Sequence, residues 1–439
     1  MHVHYYRWLF ALGVLFCTAA VAPCQQSINE APIRYETSPV VDAVAMLQKR
    51  LAEGRTQLEW DEQHGWLPSL LEELRVPTSS QTLVFSKTSL QVRKISPRRP
   101  RALYFSDDVY VGYLGAAQAG DLVELSAVDP ELGAIFYSIE QKPSDSPQLL
   151  RDRSRCLSCH HSQRTRDVPG YLVRSVYTQV DGQPRFDLGS VTSDSTTEFA
   201  QRFGGWYVTG THGTMQHRGN CQVPDEGPEP TENDLGANVT SLVGRLDTDR
   251  YLSPHSDLVA LMVLEQQSQV HNAITLAAYE GKRAEHYDAT WNRILERPED
   301  TVSDVSRRRI ESASEQLVEA LLFAGEYQLT SPIAGTSEFT AEFPQQGPRD
   351  TKGRSLREFD LVARLFKYPC SYLIYSDSFA SLPYPIREQA LARLAEVLTG
   401  SDQSETFAHL SPTDRQALRE ILSDTLDDFD KALEQATGG

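Results

Sequence analysis

The spacing of apolar positions changes character near residue 80 and again near residue 253. Before residue 80 the period is helical. Ser38 and Pro39 read as a cap and first-turn proline, Val40, Val44, Leu47 and Leu51 form one stripe, and Gly54 ends it. A second short helix is predicted over Pro68–Leu74. Short runs rich in β-branched and aromatic residues then follow at Thr82–Phe85, Ala102–Phe105, Val109–Tyr113, Leu122–Leu125 and Ala134–Tyr137, separated by Pro, Gly, Asp and Ser. They predict strands of an antiparallel sheet. Tyr171–Val180 and Pro184–Val191 flank Asp181-Gly182, a hairpin signal.

From residue 253 the pattern is helical again. Asp257–Glu280 is long and apolar, with Leu258, Leu261, Met262, Leu264 and Ile274. Ser303–Gly325 predicts a second helix of this region. Ser355-Leu-Arg-Glu358 reads as a capping box opening a third, which Pro369 should stop by Lys367. Pro385–Leu398 and Pro412–Leu426 complete the chain, and no internal repeat is found. The fold class predicted is α+β, an antiparallel β-containing region followed by an α-helical C-terminal region.

The N-terminus predicts export. Arg7 is the only formal charge in the first 22 residues, and Leu9–Ala22 is an apolar run of signal-peptide length ending in the small residues Ala20-Val21-Ala22. Cleavage is expected near residue 22, giving a periplasmic or otherwise exported protein. Val21-Ala22-Pro23-Cys24 also looks like a lipidation signal, but proline before the cysteine fits it poorly, so membrane attachment would arise only through Cys24.

The 439 residues carry a formal charge of −18. Loss of the export segment makes this −19, which argues against a nucleic-acid partner. Six cysteines do not amount to a disulfide scaffold. Cys17 and Cys24 sit in or beside the export segment, Cys156 and Cys159 belong to a motif, and Cys221 and Cys370 remain. Cys370, in the apolar run Tyr368–Tyr375, is expected to be a buried free thiol.

That motif is the strongest chemical signal. Cys156-Leu157-Ser158-Cys159-His160 is the Cys-x-x-Cys-His pattern of covalent haem c attachment. The two thiols add across the haem vinyl groups, and His160 then supplies the proximal iron ligand. Export agrees with this chemistry, because haem c is attached outside the cytoplasm. The chain then divides into a signal peptide (1–22), an N-terminal helical segment (23–79), a β-rich haem-binding region (80–221), a Pro- and Gly-rich linker (222–252) and an α-helical region (253–439).

A second axial ligand would set much of the function. The glycine-rich aromatic run Gly204–Asn220 offers His212, Met215 and His217. A methionine would raise the potential, and a histidine would lower it. His161 is expected to point elsewhere, and His271 to be a core histidine. Arg202, Arg349, Lys352 and Arg354 are possible partners for the haem propionates.

Several stretches resemble a family of exported bacterial cytochrome c domain-containing proteins of no established activity. They are Ser80–Ser89, Ile95–Phe105, Asp107–Gly112, Cys156–His160, Gly205–Gly213 and Arg364–Tyr375, and the similarity extends from about residue 35 to the C-terminus. The resemblance implies haem attachment at Cys156 and Cys159 and iron ligation at His160. In the family a methionine often follows the histidine matching His217. Here that place holds Arg218, which leaves the sixth ligand open.

The expected function is electron transfer through one covalent haem, with redox proteins as partners. A haem enzyme with an open iron position, acting on peroxide or a small oxidised substrate, is the alternative. A structural zinc site from Cys156, Cys159, His217 and Cys221 is a third reading, although 57 residues separate its two halves. A thiol–disulfide exchange site is a fourth, without the βαβ context such sites need.

Overall fold

The computed structural model describes residues 27–115, 117–118 and 120–437. The export segment, its cleavage site, Cys17 and Cys24 lie outside the described residues. In chain order, helices α1 (Ala43–Ala52) and α2 (Leu67–Glu73) precede strands β1 (Thr82–Val84), β2 (Arg101–Phe105), β3 (Val109–Tyr113), β4 (Leu122–Asp129), β5 (Gly133–Glu140) and β6 (Leu150–Asp152). The single turn α3 (Leu157–His160) and strands β7 (Val173–Ser175), β8 (Val191–Ser193) and β9 (Trp206–Tyr207) follow. The remainder is helical: α4 (Leu258–Ile294), α5 (Asp304–Leu321), α6 (Phe339–Glu342), α7 (Asp377–Ala380), α8 (Tyr384–Thr399), α9 (Pro412–Thr425) and α10 (Phe429–Thr437). None of the described helices is long and apolar enough to cross a membrane.

Seven strands form one antiparallel sheet in the order β6-β5-β4-β3-β2-β1-β9. This sheet, followed by helices, is the α+β arrangement that the hydrophobic pattern predicts. Both faces are covered, so the strands bury both alternating sets of side chains. Ile135 and Tyr137 of β5 point with Val111, Leu125 and Tyr104 toward α1 and α2. Ala134 and Phe136 point the other way, into a core shared with Phe105, Tyr110 and helices α4, α5, α8 and α9.

Helix α4 lies along one end of the strands. Its Gln267 amide donates to the Ser106 carbonyl and the Tyr110 hydroxyl, while the Tyr279 hydroxyl donates to the Leu132 carbonyl. It thus spans from the β2–β3 turn to the β4–β5 turn. On the same face, farther along the strands, Arg101, Leu103, Leu122, Glu124 and Ser138 remain only half-buried.

Several expected elements differ in detail. The N-cap of α1 is Asp42, whose side chain accepts from the Val44 and Ala45 amides at 3.0 Å each, so the helix starts after Ser38 and Pro39. Gly54 does stop it, at φ 65°. Helix α4 continues to Ile294 instead of Glu280, with α5 packed along it; the Ser306 hydroxyl reaches the Ala284 carbonyl at 3.2 Å. The Asp181-Gly182 turn forms, and a bridge joins Thr178 to Pro184. The strands β7 and β8 below it are short, because the Phe186–Leu188 turn interrupts the second arm.

No helix forms over 355–367. The Ser355 amide donates to Glu358 Oε1 at 3.1 Å, as a capping box requires. Asp360 Oδ1 then captures the Val362 and Ala363 amides at 2.9 and 2.7 Å, and Leu361 turns to φ 59°. This local competition with the helix reverses the chain. It brings Phe359 and Phe366 into a bridge with stacked rings 5.5 Å apart. Strands β6 and β9 and helix α10 were not anticipated. The first two are three and two residues long, too short to show a period.

The start of α4 is fixed by Asp257, which is wholly buried. Oδ1 accepts from the Val259 and Ala260 amides at 2.8 and 3.0 Å. Oδ2 accepts from the Thr336 and Ser337 amides at 2.6 and 2.8 Å and from the Ser337 hydroxyl at 3.1 Å. A Cβ on Gly335 would come within 2.4 Å of that oxygen, so only glycine fits there. Asp257→Ala removes the cap and strands buried donors, and should lower stability by about 3 kcal/mol. Urea unfolding at unchanged m-value measures this, and a loss below about 1 kcal/mol would contradict the hub role.

Candidate functional site

The Cys156–His160 motif is set up by the end of β6. The Asp152 carboxylate accepts from the Ser154 and Cys156 amides at 3.0 and 3.1 Å and from Arg155 Nε at 2.7 Å. Burial pushes this carboxyl up, but the Cys156 amide and Arg155 outweigh it, and the group is held below the usual range. The chain then makes one helical turn, in which the Cys159 and His160 amides donate to the Cys156 carbonyl at 3.2 and 3.0 Å. Residues three apart on such a turn share a face, so Cys156 and Cys159 are neighbours there.

Beyond the turn the chain folds back on itself. Arg166 and Asp167 both adopt φ 57°, and the Gly170 amide returns to the His160 carbonyl at 2.9 Å. The Thr165 hydroxyl, buried inside this loop, accepts from the Ser162 amide and donates to the Val168 carbonyl.

His160 Nδ1 lies 2.8 Å from the Gly170 carbonyl oxygen. A carbonyl only accepts, so Nδ1 carries the proton and the lone pair resides on Nε2. Among the described residues no group bonds to Nε2. The ring packs 4.8 Å from Phe136 of β5. Burial lowers its pKa, against the opposing Gly170 bond, which keeps the imidazole neutral. An imidazole whose remote N–H is anchored on a backbone carbonyl is the arrangement found behind metal-ligating histidines.

The two motif thiols differ. Cys159 is exposed, whereas Cys156 is half-buried against the core, where burial, with Asp152 and Glu124 adding to it, pushes the thiol up to about 12. The four described cysteines are all free. Cys370 is the buried thiol expected, at 0% exposure, and burial pushes it to about 12.

The motif faces the half-buried strip of the sheet. Arg101 of β2 and Glu124 of β4 form an ion pair there, on either side of Gly112. Arg174 of β7 has no carboxylate partner among the described residues, and its guanidinium lies over the Phe186 ring at 5.9 Å. The Nε atoms of Arg101 and Arg174 are both buried without a hydrogen-bond partner. Burial lowers the pKa of Arg174, and Arg164 lowers it further. Arg174 is therefore the donor best prepared for a carboxylate next to the motif, whereas Arg101 is held by Glu124 and keeps only its Nε unbonded. The four basic residues singled out from the sequence are engaged with protein groups. Arg202 bonds Glu265 at 3.1 Å, Arg349 lies 3.6 Å from Glu358, Lys352 bonds Glu420 at 2.7 Å, and Arg354 bonds Asp350 and Glu420. Arg101, Phe136, Asp152, Gly170 and Arg174 escaped sequence reasoning. The sole signal for any of them is the density of arginine around the motif.

His212, Met215 and His217 follow β9, at the opposite sheet edge from β6. All three are buried. His212 Nε2 accepts from the Asn238 amide at 2.9 Å, and His217 Nδ1 accepts from the Gly219 amide at 2.9 Å. In each neutral ring the other nitrogen is then protonated and has no lone pair to give. The two rings lie 4.7 Å apart among Phe199 and Phe203, where burial, then His212, drives His217 down to about 3. His161 Nε2 donates to the Asp167 carbonyl and His271 Nε2 to the Asp107 carbonyl, the latter ring lying in the core beside Tyr110 and Tyr171.

Among the described residues no three His, Cys, Asp or Glu side chains converge as a metal site. The zinc set of Cys156, Cys159, His217 and Cys221 is thus not assembled, since the His217 lone pair is occupied by Gly219 and Cys221 Sγ has only the Gln222 carbonyl, at 3.9 Å.

No family model, no curated protein and no solved structure matches this chain.

With its four described cysteines free, the protein should show graded thiol reactivity, because alkylation follows access and thiolate fraction. Cys159 is expected to label first, Cys156 and Cys221 slowly, and Cys370 only after unfolding. Timed alkylation with peptide mass mapping reads this order, and native-state labelling of Cys370 would contradict it.

Proposed function

We propose that this protein is an exported mono-haem c-type cytochrome that transfers single electrons between redox proteins. The observation that carries the reading is the His160 imidazole, neutral, with Nδ1–H held by the Gly170 carbonyl and Nε2 bare, one turn from two free thiols. Cys156 and Cys159 would tether the ring by thioether bonds, and His160 Nε2 would bind the iron. Haem, when bound, supplies the one-electron chemistry. Arg174 would neutralise one propionate, and Arg101, already paired with Glu124, would offer its Nε–H as a donor. The wall formed by Phe136 and Leu103 would keep water from one side of the site.

A second reading is an enzyme with an open iron position. It draws on the tautomers of His212 and His217, whose acceptor nitrogens are both occupied by backbone amides. Met215 is then the remaining candidate of the three for a sixth ligand.

Production with its own N-terminus in a host competent for haem c maturation tests both readings. The secreted protein should gain about 600 Da by intact mass. Cys156→Ala and Cys159→Ala should each abolish two-point attachment. His160→Ala should retain covalent haem and lose the low-spin spectrum. Protein without added mass, or unchanged spectra in these variants, would overturn the assignment. A low-spin spectrum insensitive to cyanide and peroxide supports the electron carrier, and a high-spin spectrum shifted by them supports the enzyme.

A further inference from the structure

We infer that the surface around Cys159 is a docking site for an acidic one-electron carrier protein. This rests on the covalent-haem reading and goes beyond it by naming the partner's chemistry. The chain as a whole has a formal charge of −18, yet residues 151–174 hold six arginines and two aspartates, a local excess of four positive charges. Asp152 is buried and already occupied by Arg155 and two backbone amides. Asp167 is half-buried, and its backbone carbonyl is taken by His161.

Arg153, Arg164 and Arg166 are exposed and form no ion pair among the described residues, and Glu319 is the one carboxylate whose field is shown to reach them, at Arg166. Arg174 is half-buried and, among the described residues, also without an ion-pair partner. Its backbone is fixed by the Trp206 indole N–H, which donates to the Arg174 carbonyl at 2.9 Å. Arg164 and Cys159 both lie within its electrostatic reach. Elsewhere the arginines at the surface are commonly neutralised. Arg387 meets Asp428, Arg364 meets Asp414, and Arg393 meets Glu315 and Asp402. Two haem propionates would leave this patch positive.

Screening makes the local patch decisive. At physiological ionic strength charges fade over about 8 Å, so a molecule approaching Cys159 meets the arginines before the distant carboxylates. A basic patch on an acidic body also gives a dipole that turns an acidic partner toward the motif. The exposed arginines lie on both sides of the motif in the chain, which suits a protein face bearing several carboxylates. The strongly negative remainder of the chain repels nucleic acid. The exchange passes one electron between the iron and the partner's redox centre, one being oxidised as the other is reduced.

The test uses the mature secreted holoprotein and two small reagents of opposite charge, hexacyanoferrate and hexaammineruthenium. Despite the net negative charge, exchange with the anionic reagent should slow by about tenfold as salt rises from low to high ionic strength. Exchange with the cationic reagent should show no such slowing. Polyglutamate should suppress the anionic reaction at low salt, and polylysine should not. In Arg153→Glu/Arg164→Glu/Arg166→Glu the anionic reaction should fall about tenfold at low salt and lose its salt dependence. Acceleration of the wild-type anionic reaction by salt, or indifference to polyglutamate, would overturn the docking surface, and neither needs the variant to fold. Secreted protein lacking covalent haem would instead overturn the haem reading, and this inference with it.

Discussion

A carboxylate sealed from water sets the geometry of this molecule. Asp257 accepts five hydrogen bonds, two from the first turn of α4 and three from the segment 336–337. Such a group holds its place because every alternative leaves a buried charge or a buried amide unpaired. Its position decides where α4 begins, and the bonds from Gln267, Asn272 and Tyr279 decide its direction across the strand ends. A helix so placed covers Phe105, Tyr110 and Phe136 and leaves Arg101, Leu103 and Glu124 for another element. The strap carrying Cys156–Gly170 occupies that remaining ground. The site is therefore a consequence of how far one helix reaches.

Hydrogen-bond direction separates His160 of the strap from the two histidines that follow β9. His160 donates to a carbonyl and keeps its lone pair outward, whereas His212 and His217 accept from amides and turn protonated nitrogens toward their surroundings. Burial lowers the pKa of all three, so charge state does not distinguish them. The polarity of the backbone group opposite each ring does. Such polarity depends on which backbone group faces each ring: Gly170, ten residues from His160, and Asn238, twenty-six residues from His212.

This explains what the sequence could and could not disclose. The strands β1–β5 were legible because they are buried on both faces, so each reads as a short run of β-branched and aromatic residues between turn residues. The helices α5, α8 and α9 were legible because their caps are local: Ser303 accepts from Ser306, Pro383 and Pro385 bracket the start of α8, and Ser411 boxes with Asp414. The same local grammar misled at 355–367. Its capping bond forms, but Asp360 captures the Val362 and Ala363 amides and Leu361 turns over, so that Phe359 packs beside Phe343 and Phe366. The motif itself was legible as chemistry. Its surroundings were not, since Arg101, Phe136 and Arg174 reach it from strands separated by dozens of residues. Arg202, a possible propionate partner by sequence, is taken by Glu265, 63 residues away, whereas Arg354 is taken both by Glu420, 66 residues away, and by Asp350, only four residues away.

The difference between the two motif thiols links attachment to the electrostatic surface. Cys156 packs with Leu157 against the core, and burial raises its pKa, while Cys159 stands exposed on the side of Arg164 and Arg174. A planar group tethered at both would turn one edge to the core and the other to solvent beneath the arginines. Electron exchange falls steeply with distance, so the edge near Cys159 is the one a partner would approach, and it is also where the local charge opposes that of the whole chain. A tether could be built in far fewer residues. Under the proposed reading, the sheet would hold the covered edge dry and the strap would fix the arginines on an otherwise acidic body.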